Sequence, residues 1–502
     1  MKVLMFGWEF PPHISGGLGT ACAGLTRALE REHVDILFTI PKLHGGEQAD
    51  RTTFINASAI AIPQIKVISA IKTTGTTATH PEQSSAYRPD VVSRHEGGQT
   101  VIEIPSTLSA YTSPSAMEGA YTLKKWNYTF ESGEDQIHPA TDGLLAERTA
   151  TSTPETRSRA VTEPYSFSGT YGRNLLLEVE RYAQVASTIA GEHTFDVIHA
   201  HDWMTFPAGI AAKNISNKPL VVHVHATEVD RSGEQVNPAV FAIEKEGMMR
   251  ADKVITVSNW TKNIAVRHYG IDENKIEVVH NGINPKVDGE TPAFAPPLRT
   301  PVVTFLGRIT HQKGPMYFVE AARKVHQQFP DVHFVVAGSG DQLPQMIERI
   351  AQHRLSDRFH FTGFLKGDDI DRVWAMSSVY VMPSVSEPFG IAPLEAIQAG
   401  VPVILSQQAG VGEVMPHAIK VDFWETDALA EAIGNVLRYK SLANTLKKNG
   451  AEELKTITWD KAAKKITTLY YELTTTNKKA AKKSGTILSG SPAKPASETA
   501  LF

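Results

Sequence analysis

Short apolar runs alternate with amphipathic stretches along most of the chain, and the period of each predicts its form. Val3–Phe6, Val34–Ile40, Phe195–Ala200, Leu220–Val224, Val254–Val257 and Ile276–Val279 are brief and rich in β-branched residues, which predicts buried strands. A helix-like run from Thr20 to Leu29 follows the first of them. Between Pro285 and Pro301 the periodicity stops among prolines and small polar residues, which reads as a linker. The alternation then restarts. Strands are predicted at Val302–Leu306, His333–Ala337, Phe359–Phe361, Val379–Met382 and Val401–Leu405. Helices are predicted at Met316–Gln328, Leu343–Gln352, Ile370–Met376 and Pro393–Ala399. Strand and helix in regular succession predict an α/β fold of two doubly wound halves with parallel sheets.

Two segments break this pattern. Residues 72–170 are rich in Thr, Ser, Gly and Pro with only brief strand-like pieces, so they read as an insertion into the first half. Residues 477–502 are Lys, Ser, Ala and Pro with few large apolar side chains, the composition of a disordered tail. The expected division is therefore a first domain over 1–285, a linker over 286–300 and a second domain over 301–455. A helix over 456–476 and the tail complete it.

Composition narrows the function classes. In 502 residues, 41% are hydrophobic and 21% charged, as in ordinary globular domains. The net charge of −4 offers no global field for nucleic acid or an anionic membrane, so any anion site must be local. One cysteine, Cys22, excludes an internal disulfide and a Cys-based zinc cluster and suits a reducing compartment. No apolar run approaches the ~20 residues of a spanning helix. The start meets Glu9, Pro11 and Pro12 too early for a signal peptide. A cytoplasmic protein is expected.

Several loops carry candidate chemistry. Ser15-Gly16-Gly17-Leu18-Gly19 stands between a strand and a helix, where bare backbone N–H groups and a helix N-terminus suit an anion. A dinucleotide dehydrogenase is disfavoured, because Cys22 replaces the third glycine and Asp35 begins its strand instead of ending it. In the second half, Gly307-Arg308 and Lys313-Gly314 share the loop after the first strand, where open α/β sheets bind ligands. Arginine grips a phosphate bidentately and lysine adds a compact charge. Gly338 and Gly340 end the next strand and allow close approach. In Glu387-Pro388-Phe389-Gly390-Ile391-Ala392-Pro393-Leu394-Glu395, two carboxylates flank a glycine that opens a helix N-terminus. A carboxylate there can accept hydrogen bonds from sugar or ribose hydroxyls. Two His-x-His pairs, His199/His201 and His223/His225, each project from one side of a strand. They raise a metal site, but no further ligand set follows, and none is expected.

This arrangement resembles the E-x7-E motif of retaining glycosyltransferases with the GT-B fold. Gly307-Arg308 with Lys313-Gly314 looks like their pyrophosphate clamp, and Val278-Val279-His280-Asn281-Gly282-Ile283 like their interdomain hinge. His199-Ala200-His201-Asp202-Trp203 and Gly16-Gly17-Leu18 are similar to the glycogen/starch synthase branch. The resemblance implies two Rossmann-like domains facing a cleft, with the last helix crossing back to the first domain. It implies a nucleotide-diphosphate glucose donor (ADP-glucose or UDP-glucose), an α-glucan acceptor and no metal cofactor. By the same resemblance, His225, Arg308, Lys313 and Glu387 are catalytic. Gly16, Gly17, Gly338, Gly340, Phe389, Gly390, Ile391 and Glu395 bind donor, with Glu395 on the ribose. Asp202 and Asn281 stand on the acceptor or sugar side. Ile14 departs from the family, where a lysine is common, which leaves a related transferase with another sugar or acceptor, or a silent binding protein, as alternatives.

Overall fold

A computed structural model describes residues 1–13, 16–68, 92–96, 99–103, 157–284 and 300–487. Ile14, most of the 72–170 insertion and nearly all of the expected 286–300 linker lie outside the described residues. The strands are β1 (Lys2–Phe6), β2 (Asp35–Ile40), β3 (Thr52–Asn56), β4 (Ala61–Ile68), β5 (Val92–Glu96), β6 (Gln99–Glu103), β7 (Arg157–Pro164), β8 (Val197–His201), β9 (Leu220–Val224), β10 (Lys253–Thr256) and β11 (Ile276–Val278). After the linker come β12 (Val302–Leu306), β13 (His333–Ala337), β14 (Phe359–Gly363), β15 (Val379–Met382), β16 (Val403–Ser406) and β17 (Ile419–Val421). The helices are α1 (Gly17–Arg31), α2 (Leu175–Glu192), α3 (Phe206–Ser216), α4 (Glu228–Ser232), α5 (Pro238–Arg250), α6 (Asn259–Tyr269), α7 (Pro315–Gln328), α8 (Leu343–Gln352), α9 (Asp368–Met376), α10 (Ala392–Gln398), α11 (Thr426–Arg438), α12 (Lys440–Leu454) and α13 (Trp459–Ile487).

Both main sheets are parallel throughout. The first runs β11-β10-β9-β8-β1-β2-β3 and the second β14-β13-β12-β15-β16-β17. In each, the first strand sits inside the sheet and successive connections leave it in opposite directions. The chain order reverses between β1 and β8 and between β12 and β15, and ligand crevices form beyond the carboxyl ends of strands at such reversals. The strands inside each sheet are buried, as parallel sheets covered on both faces require, while the edge strands β3 and β14 are more open. Strand β4, just before the insertion, pairs antiparallel with β7 inside it, and β5 pairs with β6.

Helix α13 packs on the first domain. Trp459, Ala462, Ala463, Ile466, Leu469 and Tyr470 recur at helical spacing and share one core cluster with Ala21, Cys22, Leu25 and Ala28 of α1. A side chain at Gly24 would enter the Trp459 ring, so the two helices meet across a bare α-carbon. The helix runs to Ile487, past residue 477, where composition predicted an unstructured tail. Lysines and alanines propagate a helix once its buried first half has supplied the nucleus.

Candidate active site

The second domain builds its site from two loops at the β12/β15 reversal. After β12, Gly307 donates to the Ala337 carbonyl and Ile309 to that of Ser339, so this loop is zipped to the loop after β13. A Cβ at Gly338 would stand 1.9 Å from the Gly307 oxygen, and one at Gly340 2.2 Å from that of Ile309. What these two glycines provide in the fold is loop-on-loop packing. Gly314, at φ 67°, turns the chain into α7, and its α-carbon lies against the Pro383 carbonyl. Arg308 is left exposed on the loop.

Lys313 pairs directly with Glu387, which stands on the loop after β15, and Ser384 Oγ donates to the same carboxylate oxygen at 3.3 Å. Glu387 is buried, and its backbone forms a bridge to Ala409. Gly390, at φ 97°, adopts the left-handed turn that leads through Ile391 into α10, which carries Glu395. Phe389 was expected on the donor side. Its ring is core, 3% exposed and clustered with Leu394, Ile397 and Leu405.

The first domain answers at the β1/β8 reversal. Gly16 and Gly17 open α1, and nothing stands within 4 Å of a Cβ at either. The adjoining helix end is not vacant, however: Glu9 Oε1 accepts the Gly19 N–H at 3.1 Å. Asp202, at φ 63° just beyond β8, accepts the N–H of His225 at 3.0 Å and of Ala226 at 3.3 Å. Burial pushes its carboxyl up to about 6, against the Arg231 charge and these two N–H groups. His201 Nδ1 meets His225 Nε2 at 3.0 Å, and His199 Nδ1 meets the Tyr470 hydroxyl of α13 at 2.5 Å. Burial lowers His225 and His199 to about 3, so both are neutral at pH 7. Asn281 is buried in the hinge segment, where Gly282 lies against the backbone at Thr458 and Trp459.

Two sets of residues could hold a metal by proximity. One ligand atom each from His199, His201 and His223 lies within 4.8 Å of the others, as do those of Cys22, His201 and His225. The three rings of the first set are 11° to 32° from parallel.

Sequence reasoning missed the contacts that join the halves. Ser386, next to Glu387, donates to Asp230 Oδ1 at 2.5 Å and accepts from Trp260 Nε1 at 3.0 Å. Ser258 Oγ donates to the Pro388 carbonyl at 2.5 Å. Glu413 accepts the Asn259 and Trp260 N–H groups at the start of α6 and pairs with His280 at 2.8 Å. Its burial alone would raise the carboxyl, but these hydrogen bonds outweigh it and hold it below the usual range. One signal was available: Ser258, Asn259 and Thr261 form a helix start with no acid of its own.

Two parallel α/β domains that each present ligand-type loops at a chain reversal, joined beside a buried Lys–Glu pair, define the GT-B class of transferases. Comparison with known proteins supplies the family. The model of the glycosyl transferases group 1 matches residues 290–453, that of glycosyltransferase family 4 residues 137–287, and that of the starch synthase catalytic domain residues 2–91. An uncharacterized glycosyltransferase of Methanocaldococcus jannaschii is 31% identical over 56% of this chain and 76% of its own length. An alpha-maltose-1-phosphate synthase of Mycolicibacterium smegmatis is 30% identical over 48% of this chain and 69% of its own. A glycogen synthase of Mycobacterium tuberculosis is 30% identical over 44% of this chain, and the match spans only 54% of that relative. Among solved structures, the sucrose-phosphate synthase of Thermosynechococcus elongatus superposes with a TM-score of 0.59 at 19% identity, covering 94% of this chain and 98% of its own. The catalytic domain of starch synthase IV from Arabidopsis thaliana gives 0.54 at 15%, covering 94% and 99%. The chain belongs to the GT-B glycosyltransferases and is a hexosyltransferase of their glycogen/starch synthase-like group.

Proposed function

We propose that the enzyme transfers glucose, with retention of configuration, from ADP-glucose or UDP-glucose to the non-reducing end of an α-1,4-glucan in the cytoplasm. The observation that carries this reading is the Lys313–Glu387 pair at the β12/β15 reversal, with Arg308 exposed on the same loop. As the glycosidic bond breaks, negative charge grows on the departing diphosphate. Arg308 and Lys313 absorb it, and when Lys313 turns to the phosphate, Glu387 is released to hold sugar hydroxyls. Because two cations supply the positive charge, no metal enters the reaction. Glu395 accepts from the ribose, and His225 holds the transferred sugar from the first domain. The match to a starch synthase catalytic domain and the similarity to a glycogen synthase support glucan as acceptor.

A second reading keeps the donor and changes the acceptor to a phosphorylated sugar. It is favoured by the similarity to the alpha-maltose-1-phosphate synthase, whose length is matched further than that of the glycogen synthase at the same identity. A donor panel, run with glycogen and with glucose 1-phosphate in the presence of chelator, tests both. Nucleoside diphosphate release with polymer elongation is the expected result. Turnover only with the phosphosugar selects the second reading, and activity lost in chelator but restored by a divalent cation refutes the cation clamp.

A further inference from the structure

The four histidines at the carboxyl ends of β8 and β9 form a two-by-two array on one face of the sheet. His199 stacks on His201 at 4.3 Å between centroids and His223 on His225 at 4.2 Å, with His201 and His223 in register across the strands. Three of them are 0–2% exposed, and His225 alone is partly open. The proposed reaction uses only His225 and leaves the others without an account. Resting on that reading of His225, we infer that His201 is a positioning residue that fixes the His225 tautomer, so that Nδ1–H is the donor offered to a hydroxyl of the transferred sugar.

The direction of one hydrogen bond carries the inference. His201 Nδ1 and His225 Nε2 are 3.0 Å apart, and one of the two nitrogens holds the proton between them. If His225 donated, the proton of neutral His201 would sit on its Nε2, which is buried and has no partner. An orphaned buried N–H costs the desolvation of a donor, whereas an orphaned imidazole lone pair is the lesser loss. His201 therefore carries its proton on Nδ1 and donates. Its partner nitrogen in His225 becomes the acceptor, and the remaining proton of neutral His225 is placed on Nδ1. The His223 stack restrains the ring, and Asp202 Oδ1 fixes the main chain that carries it by accepting the backbone N–H groups of His225 and Ala226. His201 is fixed in turn by its stack on His199, which the Tyr470 hydroxyl anchors from α13.

The test uses His201→Asn, His201→Phe and His225→Ala in the full-length enzyme, with thermal melts to confirm folding. The Asn side-chain N–H stands where His Nδ1–H stood, while Phe keeps the ring stack and loses the donor. His201→Phe should lower kcat roughly tenfold with little change in donor KM, and His201→Asn should restore it to within about threefold. In histidine-labelled protein, 15N shifts should show His225 as the Nδ1–H form in wild type and a mixture in His201→Phe. Wild-type kcat in folded His201→Phe, while His225→Ala is inactive, would overturn the inference and leave the sugar contact standing. A fully active His225→Ala would overturn the sugar contact itself. A stoichiometric metal in the purified protein, lost in His201→Phe, would also overturn it, because the two nitrogens would then be ligands and not a hydrogen-bonded pair.

Discussion

Replacing Lys313 by alanine separates the two things this residue does. In the resting protein its ammonium faces Glu387, whose side chain is 7% exposed, while Lys313 itself is 20% exposed. Removing the cation leaves a carboxylate with Ser384 as its remaining side-chain donor in a nearly dry setting. Breaking a fully buried pair in this way costs ~3–5 kcal/mol, and the partial exposure of Lys313 brings the expected loss below that, to about 2–3 kcal/mol. Glu387→Gln added to Lys313→Ala removes the stranded charge and should return most of that stability. Catalysis should behave differently. Loss of one preorganised charge at the departing diphosphate lowers kcat by ~10²–10³, and an amide at 387 cannot replace it. Urea melts read the first effect and initial rates with a saturating glucose donor the second. The reasoning is refuted if folded Lys313→Ala keeps kcat within about threefold of wild type. It is equally refuted if the double variant recovers rate together with stability, because Lys313 would then be a structural partner of Glu387 and nothing more.

Three further outcomes follow from the same geometry. Glu395→Ala should raise donor KM by ~10–100-fold and change kcat little, since a ribose contact is made equally before and during bond cleavage; a loss confined to kcat would reassign the two glutamates. Gly314→Ala combines φ 67° with a Cβ 2.0 Å from the Pro383 oxygen, whereas Gly363→Ala meets φ 72° with nothing within 4 Å, so thermal melts should show about 2–4 kcal/mol lost at the first and about 1 at the second, and equal losses would deny the clash. Asp202 titrates at about 6 in the fold against an ordinary 3.8, so the stability this raised carboxyl contributes is fully present below pH 3.8 and is lost as pH rises through 6. Wild type measured against Asp202→Asn should therefore gain up to about 3 kcal/mol as pH falls across that window, and parallel denaturation profiles would sink the assignment.

The main sheets were legible because parallel strands buried on both faces read as uninterrupted apolar runs, and nearly every run in the chain proved to be one. The edges were not. Thr52–Asn56 has no fully buried residue and Ile419–Val421 only three residues, so neither stands out from its surroundings. Arg308, Lys313 and Glu387 could be found from spacing, because a cation or carboxylate just after a strand of an open sheet is placed by topology alone. Gly338 and Gly340 were read as ligand glycines for the same reason, and in the fold their α-carbons pack against the neighbouring loop. A sequence shows that a backbone must be approached closely, not what approaches it. Asp230, Trp260, Ser386 and Glu413 were invisible, since each acquires its partner across the domain boundary, more than 120 residues away.

Glu9 shows why the halves cannot be interchangeable. The sequence offered two glycine-rich strand-to-helix loops as anion sites of the same kind. In the first domain, though, a buried carboxylate already occupies the amide at Gly19, and Asp202 stands at the end of the neighbouring strand. A diphosphate brought there would meet two acids. In the second domain the corresponding loop carries Arg308 and Lys313, and its nearest acid, Glu387, is already committed to the lysine. On the proposed reading, charge divides the work before any ligand arrives, with phosphate drawn to the second domain and neutral sugar hydroxyls to the first. The Ser386 hydrogen bonds to Asp230 and Trp260 then acquire a purpose: they fasten the peptide next to Glu387 to the domain that holds His225. On that reading, a sugar held between His225 and Glu387 would be gripped by groups whose separation these bonds set.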